Sequence, residues 1–132
     1  MKNPEVVIEK VKVIANSQHS LKEEQVKILN EKFGEDQWEI FAVPAEGWNR
    51  DQILKLAGEF EGGFFKRTRT VFVSPIPLLL AKLSCIVGDQ DARGVSCTDV
   101  WVFHNDNRVK KEVDGGKIIS VVAPTGWELI AI

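Results

Sequence analysis

V-K-V-I-A-N-S-Q-H-S-L-K-E-E-Q-V-K-I-L-N-E-K-F-G, residues 11–34, changes its hydrophobic period midway, and that change decides the fold. Val11, Val13 and Ala15 alternate with Lys12 and Ile14, which is the pattern of a strand buried on at least one face. Val26, Leu29 and Phe33 then recur at helical spacing, and Gly34 supplies a stop. Ser20 followed by Glu23 reads as a capping box, so the helix is expected to begin there. Between strand and helix lie Asn16, Ser17, Gln18 and His19, more hydrogen-bonding capacity than a tight turn needs.

The same grammar repeats downstream. Residues 38–43 are rich in strand formers and end at Pro44, and a loop through Trp48 leads to a helix with Asn49 as N-cap and Gln52 at the box position. Ile53, Leu56, Ala57 and Phe60 form its apolar stripe, and Gly62-Gly63 is the expected end. A third strand is predicted over residues 70–73, entered through the basic run Lys66-Arg67-Thr68-Arg69. Ser74-Pro75-Ile76-Pro77 starts a third helix, because proline fits a first turn whose amides have no intrahelical partner. Leu78, Leu79, Leu80, Leu83 and Ile86 run nearly all round it, which predicts the most buried helix of the three. Residues 88–97 have turn composition and read as a mobile loop.

Beyond residue 100 the chain reads as strands and tight turns: 100–104, 108–113, 118–123 and 127–132, with Asp114-Gly115-Gly116 as a hairpin signal. Alternating strands and helices followed by hairpins predict an α/β fold: one Rossmann-like domain over residues 1–132, a mostly parallel sheet flanked by helices. Residues 1–104 form the core and 105–132 a C-terminal antiparallel hairpin extension.

Composition narrows the function. The 132 residues are 44% hydrophobic and 27% charged, with a net charge of −2, so the chain lacks the basic face of a general DNA or RNA binder. Cys85 and Cys97 form no metal-like spacing or disulfide framework and read as reduced thiols of a cytoplasmic protein. The first ten residues contain no continuous apolar h-region, so neither export nor membrane insertion is expected. No dinucleotide fingerprint, phosphate-binding P-loop or G-x-S-x-G elbow occurs. With two histidines and no acidic cluster beyond Asp89 and Asp91, no metal centre and no cofactor are expected.

Ligands of open α/β sheets bind beyond the carboxyl ends of the strands, where strand order reverses. That places the candidate site on Asn16, Ser17, Gln18, His19 and Ser20, on Trp48, on Ser74, Pro75, Ile76 and Pro77, and on His104, Asn105 and Asp106. Three of these segments run into helix N-termini, which favour phosphate. Each has a plainer reading beside it: Asn16 to Ser20 as local turn bonding, the proline pair as helix initiation, His104 to Asp106 as a turn. Trp48 could stack on a base.

The run H-S-L-K-E-E-Q after the first strand, V-S-P-I-P-L-L-L after the third, F-H-N-D after the fourth and the closing G-W-E-L resemble the small stand-alone CRISPR-associated proteins with a CARF-type (CRISPR-associated Rossmann fold) domain. These include the ring nucleases, which bind the cyclic oligoadenylate messengers of type III CRISPR systems. The resemblance spans nearly the whole chain. It implies a homodimer holding one cyclic ligand, cyclic tetra-adenylate by symmetry, and metal-independent cleavage by attack of a ribose 2'-hydroxyl. Carried over, Asn16, Ser17 and His19 match the first loop, Ser74 to Pro77 the third and His104 to Asp106 the fourth. His19 and Ser17 become the catalytic candidates. One departure stands out: apart from nearby Lys22 and Arg50, these loops hold no lysine or arginine. Either the messenger is bound without being cut, or Arg93, in the 88–97 segment, closes over it as part of a lid. A non-catalytic nucleotide-sensing or protein-interaction domain is the alternative.

Overall fold

The computed structural model describes residues 7–132; residues 1–6, part of the stretch read as lacking an export signal, lie outside it. The order of elements is β1 (Val7–Ile8), β2 (Val11–Asn16), α1 (Glu23–Phe33), β3 (Trp38–Val43), α2 (Arg50–Glu59), β4 (Lys66–Phe72), α3 (Pro77–Ala92), β5 (Thr98–His104), β6 (Arg108–Val113), β7 (Lys117–Val122) and β8 (Glu128–Ala131). The main sheet runs β3-β2-β4-β5-β8, with β1 pairing β4 just ahead of β2. All its pairings are parallel except β5 with β8. The predicted mixed α/β architecture, a mostly parallel sheet flanked by three helices, is therefore observed.

Strand order reverses at β2. The chain leaves it toward β3 and returns past it to β4. Crossovers of one hand in opposite directions put their helices on opposite faces. Val11, Val13, Val71 and Phe103 accordingly pack with Leu29 of α1, whereas Ile14, Phe72 and Val100 pack with Phe60 after α2 and Leu79 and Leu83 of α3. Adjacent strand residues thus serve two separate cores, the period of two visible in the sequence.

Three boundaries and one burial pattern differ from the sequence reading. Helix α1 starts at Glu23, with the Lys22 N–H donating to Gln25 Oε1 at 2.8 Å, so Ser20 is not its cap. The box has moved two residues, which leaves residues 17–20 as exposed loop. Strand β4 begins at Lys66 because Lys66 and Arg67 pair with β1 and Thr68 with β5, so the basic run belongs to the strand. Helix α3 continues through Gly88 to Ala92, overriding the local turn signals. Its last turn is pinned by buried Gln90, which donates to the Gly62 carbonyl at 3.2 Å and accepts from the Cys97 N–H at 3.3 Å. Nor is α3 buried all round: Leu79, Leu83 and Gln90 face inward, while Leu78 is exposed. A helix laid on an open sheet keeps an outer face whatever its composition.

The extension divides. Strand β8 joins the main sheet, whereas β6 and β7 form a sheet of their own. No helix among the described residues is long and apolar enough to cross a membrane.

Candidate functional site at the strand-order reversal

Strands β2 and β4 end side by side where the order reverses. The junction is closed by a side chain: the Asn16 N–H donates to Ser74 Oγ at 2.8 Å, while the Val73 and Ser74 amides donate to the Ile14 carbonyl. The Ser17 N–H donates to the Val43 carbonyl, carrying the β2–β3 ladder one step further. Asn16 Oδ1 accepts from the Gln18 N–H at 2.9 Å, and the Asn16 carbonyl accepts from the His19 N–H. The Asn16 side chain is thus engaged in shaping its loop. Ser74 accepts through its oxygen, which leaves its hydroxyl hydrogen available as a donor. Ser74→Ala removes the acceptor of the Asn16 amide and should lower stability by about 1 kcal/mol, read as a shift in urea midpoint.

A hollow at this junction is lined by His19, Ser20, Lys22, Gln25, Val73, Ser74, Pro75 and Trp127. It brings the first and third predicted loops together and adds Gln25 and Trp127, which sequence reasoning did not assign. Trp127 arrives through a clamp: Glu24 Oε1 accepts from the Gly126 and Trp127 amides at 2.8 and 2.6 Å. The indole stacks edge-on against Phe103, and its Nε1 is buried without a hydrogen-bond partner among the described residues. The two helix starts nearby are unequal. Helix α1 opens with Glu23 and Glu24, which repel an anion, whereas α3 has Pro77 at its start and no acid in its first turn. An anion at this edge is therefore favoured by α3.

The other candidates are placed as follows. Ile76 is the N-cap residue of α3 and packs on the core, with Pro77 the first helical residue. Trp48 is half-buried, its ring centroid 5.8 Å from that of Phe41, and serves as packing. His104 and Asp106 stay exposed at the end of β5, joined at 2.5 Å, one strand away from the hollow. Asn105 is buried: its Nδ2 donates to the Ala123 and Thr125 carbonyls and its Oδ1 accepts from the Asn107 N–H, which makes it a structural bracket.

Arg93 cannot be the lid. It caps the C-terminus of α3, paired with Asp89 at 2.9 Å, beside Glu61, Gly62 and Cys97 at the amino end of the sheet. The 16 residues of α3 separate it from the hollow by about 24 Å. That amino end also carries the ion pairs of Glu9, whose carboxyl is held below its ordinary pKa chiefly by the hydrogen bond from Lys12. The cation that does line the hollow is Lys22. No cluster of metal-ligating side chains occurs among the described residues.

Comparison with known proteins adds nothing to this geometry. No family model, no curated protein and no solved structure matches the chain.

Proposed function

We propose that this protein is a cytoplasmic, CARF-like binder of a cyclic oligoadenylate, cyclic tetra-adenylate by symmetry, and that it lowers the messenger's level as a homodimer. The observation that carries the reading is the convergence of His19, Ser74 and Lys22 on one hollow at the strand-order reversal, beside the acid-free start of α3. Switch-point crevices are where folds of this topology hold nucleotides. A phosphodiester there meets a donor hydroxyl, a cation and an imidazole. Cleavage by the adjacent 2'-hydroxyl needs in-line positioning, charge stabilisation and proton transfer. Lys22 supplies charge, Ser74 supplies positioning and His19 moves the proton, while Ser17, exposed in the same loop, does not line the hollow.

The test is incubation of the protein with radiolabelled cyclic tri-, tetra- and hexa-adenylate in EDTA, followed by native and denaturing gels. The expected result is a retarded band with cyclic tetra-adenylate and a slowly forming linear product, with His19→Ala retaining the band and slowing product about 100-fold. A retarded band without product makes the protein a sequestering or sensing module. Failure to retard any ring overturns the reading.

A further inference from the structure

The β6–β7 hairpin leaves the main sheet at the carboxyl end of β5 and returns at the start of β8, on the edge that holds the hollow. Every residue of its strands is exposed except half-buried Val113 and Val121. An isolated two-stranded sheet is marginal in water. This one nevertheless exposes Val109, Ile118, Ile119 and Val122. Its root is fixed. Asn105 brackets residues 123 and 125, the Ala123 N–H donates to the Asn107 carbonyl, and Arg108 Nη1 donates to the Asn105 and Asn107 carbonyls. Strands of six residues, about 20 Å long, therefore extend from a braced base.

The two faces of the arm differ. The register puts Val109 opposite Val121, Lys111 opposite Ile119 and Val113 opposite Lys117, so these six share one face: four aliphatics, two lysines, no acid. The other face mixes Arg108 and Lys110 with Glu112, Ser120, Ile118 and Val122. The carboxyl-end surface of the main sheet, by contrast, carries Glu23, Glu46, Asp106 and Glu128 against the cations Lys22 and Arg50, an excess of acid. The arm's apolar, acid-free face is complementary in charge to that surface, and its lysines are the cations in which the loops are poor.

We infer that the arm docks on the carboxyl-end surface of a second copy of this chain, placing Lys111 and Lys117 beside the anionic ligand held there. The inference rests on the proposed function for the ligand and on the arm alone for the partner. A two-fold pair exchanges the arms reciprocally, so each hollow is completed by the other chain.

Two measurements separate the parts. A photoreactive benzoylphenylalanine at Ile119, irradiated in an equal mixture of isotopically light and heavy chains without ligand, should give light–heavy cross-links to the 17–22 or 44–48 loops. Cross-links confined to one chain, or none, overturn the arm whatever the ligand does. In gel retardation with labelled cyclic tetra-adenylate, Lys111→Glu with Lys117→Glu should weaken binding about tenfold or more. Lys110→Glu, on the opposite face, should leave it unchanged. Equal loss in both variants, or no loss in either, overturns the ligand role of that face. If the unaltered protein retards no ring, the proposed function falls, and the cross-links still decide the docking.

Discussion

Gly62→Ala should destabilise the protein by about 3 kcal/mol and lower Tm by roughly 10 °C, while Gly63→Ala beside it should be neutral within about 0.5 kcal/mol. Gly62 is buried where the start of β5, the end of α3 and the entry to β4 meet. Its N–H donates to Thr98 Oγ1 at 2.8 Å and its carbonyl accepts from Gln90. A methyl group at its Cα would overlap the Cys97 carbonyl and stand 2.9 Å from the Lys66 carbonyl, both backbone groups of paired segments. That Cys97 carbonyl also accepts from the Thr68 N–H, so it cannot retreat without loosening the β4–β5 ladder. At Gly63 an added methyl meets nothing within 4 Å. Thermal unfolding of the two variants checks the pair, and equal Tm values would show that the junction yields.

Asn105→Ala should cost about 2–3 kcal/mol, and the loss should be felt first in the arm. The side chain satisfies two carbonyls at 3.0 Å each and one amide at 2.9 Å in a buried position, and alanine leaves all three without that partner. Asn105→Asp should be worse, because a carboxylate would face the Ala123 and Thr125 carbonyls with no donor to offer. Hydrogen exchange localises the effect. Amides of residues 108–122 should lose protection in Asn105→Ala while those of α1 to α3 keep it, whereas uniform loss would mean that the arm is not a separate unit.

The sheet was legible because its signals are local. Val13 beside Ile14 shows two-sided burial, Asn49 with Gln52 marks the start of α2, and Pro77 that of α3. The boundary misreadings share one cause, which is tertiary contact overriding local preference. Nothing near Gly88 announces that Gln90 will hold Gly62 and Cys97, and so extend α3 through a turn-like stretch. Nothing near Lys66 announces that β1 will pair there. The first and third loops of the site were readable from the topology rule, and they do meet in one hollow. Trp127 was not, because its place depends on β8 pairing with β5 and on Glu24, some hundred positions earlier in the chain. Arg93 was misplaced for a different reason: a segment that leads into a parallel strand reaches its amino end whether it is loop or helix, so Arg93, just ahead of β5, lies opposite the hollow.

The Glu24 clamp has a consequence for the nascent chain. During synthesis the segment from β2 to α1 is made early, yet its carboxylate acquires the Gly126 and Trp127 amides only after another 102 and 103 residues have been added. At about 5–20 residues per second, that is a delay of roughly 5–20 s during which the hollow lacks a wall. A polypeptide still attached to the ribosome can bury much of its two cores, but it cannot yet close the pocket. The wall that Trp127 gives the hollow thus arrives with the approach to β8, and chains interrupted before residue 127 keep that side of the hollow open.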